Sequence, residues 1–119
     1  MAASLGITGF HDSVDYKVVR CTAIEDATVT VNATGSAGTL YSIVIDSTNS
    51  SANVSLHILD GKASSLTQIA FKGVASTVKT IQIPSGFAFE MLNFWVSSSS
   101  AEDNTSSFAG SVDVSLLCS

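Results

Sequence analysis

Residues suited to proton transfer or metal binding are scarce, since the chain contains only two histidines, His11 and His57. His57 lies in a segment that alternates apolar and polar residues, which predicts that it points outward from a strand. His11 lies near the start of the chain, where we find no strand periodicity. No Gly-x-Ser-x-Gly segment presents a serine as a nucleophile. We therefore predict two solvated or interface histidines, no catalytic residue and no enzyme activity.

Acidic pairs are the second possible source of chemistry. Glu25-Asp26 and Glu102-Asp103 both fall in predicted loops, and paired carboxylates can bind calcium or hydrolyse glycosides. Neither pair has the series of alternating oxygen ligands that a calcium loop needs, which favours solvated turn charges. We therefore predict no metal and no cofactor. A small hydrolase that uses Glu25 or Glu102 is the least favoured alternative.

The two cysteines, Cys21 and Cys118, lie near opposite ends of the 119-residue chain. Their spacing matches no zinc or Cys-x-x-Cys pattern. First and last strands often pair, which would bring the thiols close together. Because a reducing cytoplasm keeps thiols reduced, two free, semi-buried cysteines are the favoured interpretation.

Composition and charge restrict the possible partners. Charged residues make up 13% of the chain, and 5 Lys and Arg stand against 10 Asp and Glu, for a formal charge of −5. A nucleic-acid groove needs clustered cations, as does binding to an anionic membrane. The sequence therefore predicts a surface covered by uncharged polar residues, with no nucleic-acid and no membrane partner.

No export signal or membrane-spanning segment is predicted, because the first residues lack a basic region and a sustained apolar run. The tripeptide Asn-x-Ser/Thr occurs at Asn32, Asn49, Asn53 and Asn104. Without an export signal, we interpret these tripeptides as chance matches in turns. We expect a protein made in the cytoplasm.

Short segments of period-two alternation, separated by Gly, Asn, Asp, Ser or Pro, predict strands throughout the chain. The eight candidates are 16–24, 28–32, 39–46, 53–60, 68–72, 77–83, 87–97 and about 110–118. Segment 68–72 is ambiguous between an edge strand and a helical turn, and Pro84 is expected to end the strand before it. The spacing predicts an all-β, antiparallel two-sheet β-sandwich, jelly-roll-like, with about eight strands. We assign residues 14–119 to this single domain and residues 1–13 to an N-terminal arm.

The segment from Phe87 to Val96 has large apolar side chains on both strand faces. One face fills the sandwich core, and the other must also be covered, because long exposed apolar patches are uncommon on monomers. Two explanations stay open. Either a second subunit covers this face, or a bulge near Glu90 switches the inward register and buries everything within one chain.

The stretch from Leu40 to Cys118 resembles small virion proteins of tailed bacteriophages. The matching segments are Leu40–Asp46, a turn of Asn and Ser, Val54–Gly61, and Thr80–Phe89 followed by an aromatic strand, a Ser-rich loop and a closing strand. Members of that group are β-sandwich capsid decoration (cement) proteins and adaptor pieces of tails and fibres. The resemblance implies a virion structural role and a virion location.

From this resemblance we expect a capsid decoration protein that bridges neighbouring major capsid protein subunits, or binds another virion protein, as a homo-oligomer and in particular a trimer. The expected subunit-interface residues are Phe10, His11, Phe87, Phe89, Phe94 and Trp95. The alternative is a carbohydrate-binding or adaptor module of a tail or fibre, with Trp95, Tyr41 or Tyr16 as stacking platforms for sugars.

Overall fold

The computed structural model describes residues 4–9, 17–25, 29–63, 67–98, 108 and 110–119, with side chains from residue 17 onward. Eight strands occur in these ranges: β1 (Ser4–Gly9), β2 (Lys17–Ile24), β3 (Gly38–Asp46), β4 (Val54–Asp60), β5 (Ile69–Gly73), β6 (Val78–Phe89), β7 (Leu92–Ser97) and β8 (Val112–Cys118). The described ranges contain no helix that could cross a membrane. The prediction of an all-β fold with about eight strands is confirmed.

The strands form two antiparallel sheets, in the orders β1-β2-β8-β3-β6 and β5-β4-β7. β2 pairs with β8, β3 with β6, and β4 with β5, so the chain pairs with itself from its two ends inward. Between the β2–β8 and β3–β6 pairs, the chain forms one further antiparallel pairing, a bridge from Thr30 to Phe94 in β7. Nested pairing across two sheets is the topology of a jelly roll, as predicted. The candidate strand 28–32 is reduced, in its described part, to this bridge.

The core lies between the two sheets and follows the alternation of the strands. β8 buries every second residue from Val112 to Cys118, as its pattern predicts. Its neighbours in the large sheet contribute Val19, Ile43 and Ile45, all fully buried. The small sheet contributes Leu56, Ile58, Leu92, Phe94 and Val96. Each sheet thus offers one apolar face to a shared core.

A bulge in β3 changes the predicted core face of that strand. Leu40 pairs with Phe87, whereas Ser42 pairs with Gln82, so Tyr41 alone lies opposite four residues of β6. The extra residues shift the inward register, and Leu40 becomes buried while Tyr41 is only half-buried. Simple alternation along segment 39–46 predicts that Tyr41 shares the core face with Ile43 and Ile45. For Tyr41 this prediction is wrong, because alternation assumes an unbroken ladder.

Pro84 does not end its strand, contrary to the prediction. β6 continues through it to Phe89, because β6 is an edge strand and Pro84 lies in the bulge opposite Tyr41. Proline is tolerated at both kinds of position, since its missing N–H is not needed for the ladder. The ambiguous segment before it forms the edge strand β5, one of its two predicted forms.

The aromatic segment is divided between the two sheets. It is not one strand, because β6 ends at Phe89 in the large sheet and β7 begins at Leu92 in the small sheet. Glu90 and Met91 connect them, close to the position where a register switch was one of the two explanations. Because the segment passes from one sheet to the other, both sets of apolar side chains can pack within a single chain.

The start of the chain also differs from the expectation. Residues 4–9 form β1, which pairs with β2 from Ser4 opposite Thr22 to Gly9 opposite Lys17. The expectation that residues 1–13 contain no strand is therefore wrong. Backbone pairing along β2 does not require the alternation on which the prediction relied. The division into an arm and a domain stays a prediction.

Replacing Gly86 by Ala tests the bulge. Gly86 has a φ of 74°, and a Cβ there would collide with Cγ2 of Thr39. We expect Gly86→Ala to lower the free energy of unfolding by about 2–4 kcal/mol, the sum of left-handed backbone strain and overpacking. Urea denaturation followed by circular dichroism measures it.

Gly35→Ala is the matched control, because Gly35 has a φ of 75° with nothing within 4 Å of a new Cβ. It should lose only the backbone part, about 1–2 kcal/mol. Equal losses in the two variants would contradict the close packing of the bulge against β3.

Candidate functional site

His57 is fully buried, which corrects the prediction that it points into solvent. Its imidazole stacks on the Trp95 ring, with centroids 4.5 Å apart and planes 4° from parallel. Nε2 lies 2.6 Å from Oγ of Ser97, and Nδ1 lies 2.7 Å from Oγ1 of Thr67. A neutral imidazole donates through one nitrogen and accepts through the other, and hydroxyl groups can match either role. Both ring nitrogens are therefore engaged inside the protein.

The burial of His57 follows from the strands that carry it. Every residue of β7, and every residue of β4 from Val54 to Leu59, is buried, so both faces of this strand pair are covered. His57 lies directly opposite Trp95 across the pair, and the face they share is the one away from the core cluster. Alternation alone cannot reveal such a second cover, because it assumes that one face meets water.

The Ser97–His57 contact has the atoms of a nucleophile–base pair but not the access. Ser97 is 0% exposed, as is His57. A nucleophile must reach a substrate carbonyl or phosphorus, and a fully buried hydroxyl cannot do so. The contact instead satisfies polar groups that would be costly to bury unpaired.

The structure places the predicted interface residues mostly inside one chain. Phe94 and Phe89 belong to the core cluster, Trp95 is 4% exposed, and Phe87 is partly buried against the core. The burial of Phe89, Phe94 and Trp95 leaves these side chains little surface for a subunit contact, and the interface role of Phe87 stays a prediction. Phe10 and His11 lie outside the described residues, so their interface role stays a prediction.

The stacking platforms proposed for sugars are also affected. Trp95 is not available, because its ring faces His57 within the protein. Tyr41 is half-buried beside the bulge, and Tyr16 lies outside the described residues. Of the three candidates, only Tyr41 is seen near the surface.

Asp60 links two turns through its carboxylate. Oδ1 accepts hydrogen bonds from the backbone N–H groups of Lys62 and Met91, and Oδ2 accepts one from Glu90, each at 3.1 Å. Desolvation raises the pKa of Asp60, but the three N–H donors and the Lys62 charge outweigh it, so the pKa lies below its usual value. The carboxylate thereby joins the turn after β4 to the connection between β6 and β7.

The other candidate groups are not assembled into a site. Glu25 is exposed, and Asp26, Glu102 and Asp103 lie outside the described residues. No group of three or more His, Cys, Asp or Glu side chains that could hold a metal ion occurs in the described part of the chain.

Both cysteines are free and buried. β2 and β8 do pair, as expected of first and last strands, but Cys21 lies opposite Val114 and Cys118 opposite Lys17. Burial raises the pKa of the Cys118 thiol to about 12, against a smaller lowering by Lys17. Burial also raises the pKa of Cys21. Such thiols are poor nucleophiles and poor metal ligands.

The outward face of the large sheet, which we call the outer face, is a surface of half-buried and exposed residues. It carries the outward residues of four strands: Val18 and Arg20, Ser42, Val44 and Asp46, Val78, and Asp113, Ser115 and Leu117. A shallow depression of about 430 Å³ lies over Val18, Arg20, Val44 and Leu117. The sequence predicts the outward positions of β3 and β8, but not that they form one surface with β2.

Removal of the Ser97 hydroxyl tests the hydrogen bonds that join His57 to Ser97 and Thr67, which we call the buried network. We expect Ser97→Ala to lower the free energy of unfolding by about 1–3 kcal/mol, because it leaves a buried ring nitrogen of His57 without its partner. Ser98→Ala, next to it but exposed, should stay within about 0.5 kcal/mol of the wild type. Thermal and urea unfolding measure both. Indistinguishable losses would contradict the network.

The three backbone hydrogen bonds that the Asp60 carboxylate accepts, which we call the Asp60 clamp, predict that the free energy of unfolding depends on pH. Because the folded pKa is lowered, the stabilisation is fully present above the ordinary Asp pKa and is lost as pH falls through the folded value. We expect Asp60→Asn to be less stable than wild type at pH 7 and the difference to shrink towards pH 3. Glu25→Gln, at an exposed carboxylate, is the control, and a constant Asp60→Asn difference across this range would contradict the clamp.

The chain's similarity to known proteins gives no assignment. No protein-family model matches the sequence, and no curated protein matches it significantly. The proposal of a function therefore rests on the chain's own residues, their arrangement and the resemblance of the stretch from Leu40 to Cys118.

Proposed function

We propose that this protein is a non-enzymatic structural component of a tailed-bacteriophage virion, a decoration protein that binds the outside of the capsid. In this role it bridges neighbouring major capsid protein subunits and stabilises the shell through contacts alone. Binding to another virion protein of the tail or fibre is the closest variant of the same role. It is made in the host cytoplasm and functions in the virion.

One observation carries the non-enzymatic part of the proposal: the side chains that resemble catalytic groups are used to build the fold. His57 and Ser97 satisfy each other inside the protein. Asp60 holds two turns together through backbone donors, and both thiols are buried. General acid–base catalysis needs a titrating group within reach of a substrate, and among these described groups His57, Ser97 and both thiols are buried, while the Asp60 carboxylate is engaged by three backbone donors.

The fold supports a role in mechanical bridging. A jelly roll with a continuous core between two sheets resists deformation, because tightly packed interiors have low compressibility. Its radius of gyration of 13.3 Å describes a small, compact unit. A rigid unit loses little conformational entropy when it binds, so contacts on a capsid surface are not offset by ordering of the domain.

The surface charge supports a position outside the shell. The chain carries a formal charge of −5, and packaged DNA would repel an acidic protein. The described cations are dispersed over the fold: Lys17 and Arg20 on β2, Lys62 in a turn, Lys72 on β5 and Lys79 on β6. Such dispersion does not form the continuous basic track that nucleic-acid binding requires.

The virion part of the proposal rests on the resemblance to tailed-phage proteins. The resembling stretch, Leu40 to Cys118, spans β3 to β8 and so includes the whole of the small sheet. Its Asp60-Gly61 turn is the one that the Asp60 carboxylate holds. A glycan-binding role has less support, because Trp95 is buried.

Particles that lack this protein provide the test. We expect them to release DNA at a lower temperature, and to resist internal pressure less, than complete particles, because bridging contacts between coat subunits are lost. Adding the purified protein back should restore resistance, and electron microscopy of restored particles should show density on the outer surface. Unchanged resistance of the deficient particles would contradict the decoration role.

A glycan array distinguishes the alternative. The decoration role predicts no signal from the purified protein on any glycan. Binding that is lost in Tyr41→Ala and kept in Tyr41→Phe would instead favour a carbohydrate-binding module.

A further inference from the structure

The outer face has a regular pattern of rows across its strands. The first row contains Val18, Leu117, Ser42 and Gln82, and the second contains Arg20, Ser115, Val44 and Thr80. The third contains Asp113, Asp46 and Val78. Apolar, cationic and anionic positions therefore occupy different places on one surface.

Three features of this pattern are unfavourable in an isolated chain. Asp46 and Asp113 lie directly opposite each other across β3 and β8, and like charges in that position destabilise a sheet. Arg20 is exposed, and within the described residues it has no hydrogen-bonded or ion-pair partner. Its neighbour in β1 is Gly6, which has no side chain to cover it. A third feature is Val78, a large apolar side chain that is 56% exposed.

We propose that the outer face binds the outer face of a second copy of this chain, forming a dimer with a two-fold axis at Val44. The axis runs obliquely across the strands. It brings Arg20 of each copy over the carboxylate pair Asp46 and Asp113 of the other.

The spacing of the sheet supports this arrangement. Neighbouring strands lie about 4.8 Å apart, and alternate residues of a strand about 6.8 Å apart. Leu117 and Val78 therefore lie about 8 Å from Val44 in opposite directions, one strand and one row away on either side. A two-fold axis through Val44, perpendicular to the line between them, exchanges their positions. Leu117 of one copy then contacts Val78 of the other, and Val44 contacts Val44.

The same axis also places Arg20 of one copy near Asp46 and Asp113 of the other. Arg20 lies two strands from Val44 in the same row. Viewed along the normal of the facing sheets, rotation about the axis brings its position to within about 3 Å of that of Asp113 and about 4 Å of that of Asp46 on the other copy. An isologous interface must be complementary to itself, and here the apolar and the charged positions satisfy one symmetry operation.

The size of the face predicts a weak, transient dimer. Four strands and six residues along each give about 400 Å² per copy and about 800 Å² in total, which is below the standard size of specific interfaces and in the range of transient contacts. We therefore expect a reversible dimer that forms at micromolar or higher concentration. This state differs from the trimer that the virion resemblance implies, and it does not depend on a virion role.

Sedimentation velocity of the purified chain, from about 10 μM to 1 mM in about 0.15 M salt, tests the proposal. We expect a monomer–dimer equilibrium in the wild type. Charge reversal in Arg20→Asp places a carboxylate over two others, and Val78→Asp puts a charge into the apolar contact. Each should raise the dissociation constant by about tenfold or more. Val74→Asp is the matched control, because Val74 is 44% exposed but is not part of the outer face, and it should dimerise as wild type.

Mixing complementary variants gives the sharpest test. Asp113→Lys alone should dimerise more weakly than the wild type, because Arg20 of the other copy then meets an ammonium group beside Asp46. An equimolar mixture with Arg20→Asp should associate, since one contact is native and the other pairs the introduced carboxylate with the introduced ammonium group. Because Asp113 also accepts a hydrogen bond from the N–H of Ala23, Asp46→Lys serves as a second partner, and circular dichroism verifies that each variant is folded.

The possible outcomes decide the proposal. A monomer at every concentration, or a trimer, would overturn it. Dimerisation of Arg20→Asp and Val78→Asp at the wild-type strength would also overturn it, because the dimer would then use another surface. Failure of folded variants to associate on mixing would contradict the charge pairing. None of these results affects the measurement on virus particles.

Discussion

Burial of both faces of the β4–β7 pair is the constraint on which the rest of the structure depends. One face, with Leu56 and Phe94, packs into the core between the sheets. The other face carries polar groups, and these need hydrogen-bond partners once water is removed. The His57 ring meets this need with Thr67 and Ser97, while its flat surface packs on Trp95. Residues that look reactive in the sequence are therefore structural here.

Much of the fold follows from the sequence, because alternation and turn residues record which face of a strand meets water. β8 is the clearest case, with every second residue buried from Val112 to Cys118. The jelly-roll pairing is also consistent with strands of similar length separated by polar turns. Three positions deviate for identifiable reasons. Tyr41 and Pro84 lie at a bulge, which adds residues to one strand and breaks the period of two, and His57 lies on a face that is covered instead of solvated.

The candidate site is harder to predict, because its residues come from strands that are distant in sequence. Arg20 and Asp113 are separated along the chain, yet they lie on neighbouring strands. The aromatic segment is misleading for the opposite reason. Its side chains are close in sequence, but Phe89 and Trp95 belong to different sheets. Periodicity within one segment identifies the faces of a strand, whereas a binding surface depends on strand order, which the pattern leaves open.

Short-range hydrogen bonds replace ion pairs in the described turns of this weakly charged chain. The Asp60 carboxylate holds two connections through backbone donors. Asp46 accepts bonds from the hydroxyl and the N–H of Thr48, and these bonds lower the pKa of its carboxyl. Asp46 therefore stays ionised on the outer face at neutral pH, beside Asp113. The turn that ends β3 thus extends the ionisation of this carboxylate towards lower pH.

Low overall charge gives the few charges on the outer face a large influence. Two copies that each carry −5 repel at long range, but that repulsion is screened beyond about 8 Å at physiological ionic strength. Charges in direct contact are screened much less, because little water or salt lies between them. In the proposed dimer, the contact of Arg20 with two carboxylates of the other copy can therefore act where the net repulsion no longer does. In a chain with more surface charge, similar contacts would occur in many registers, and a single arrangement would be less strongly specified.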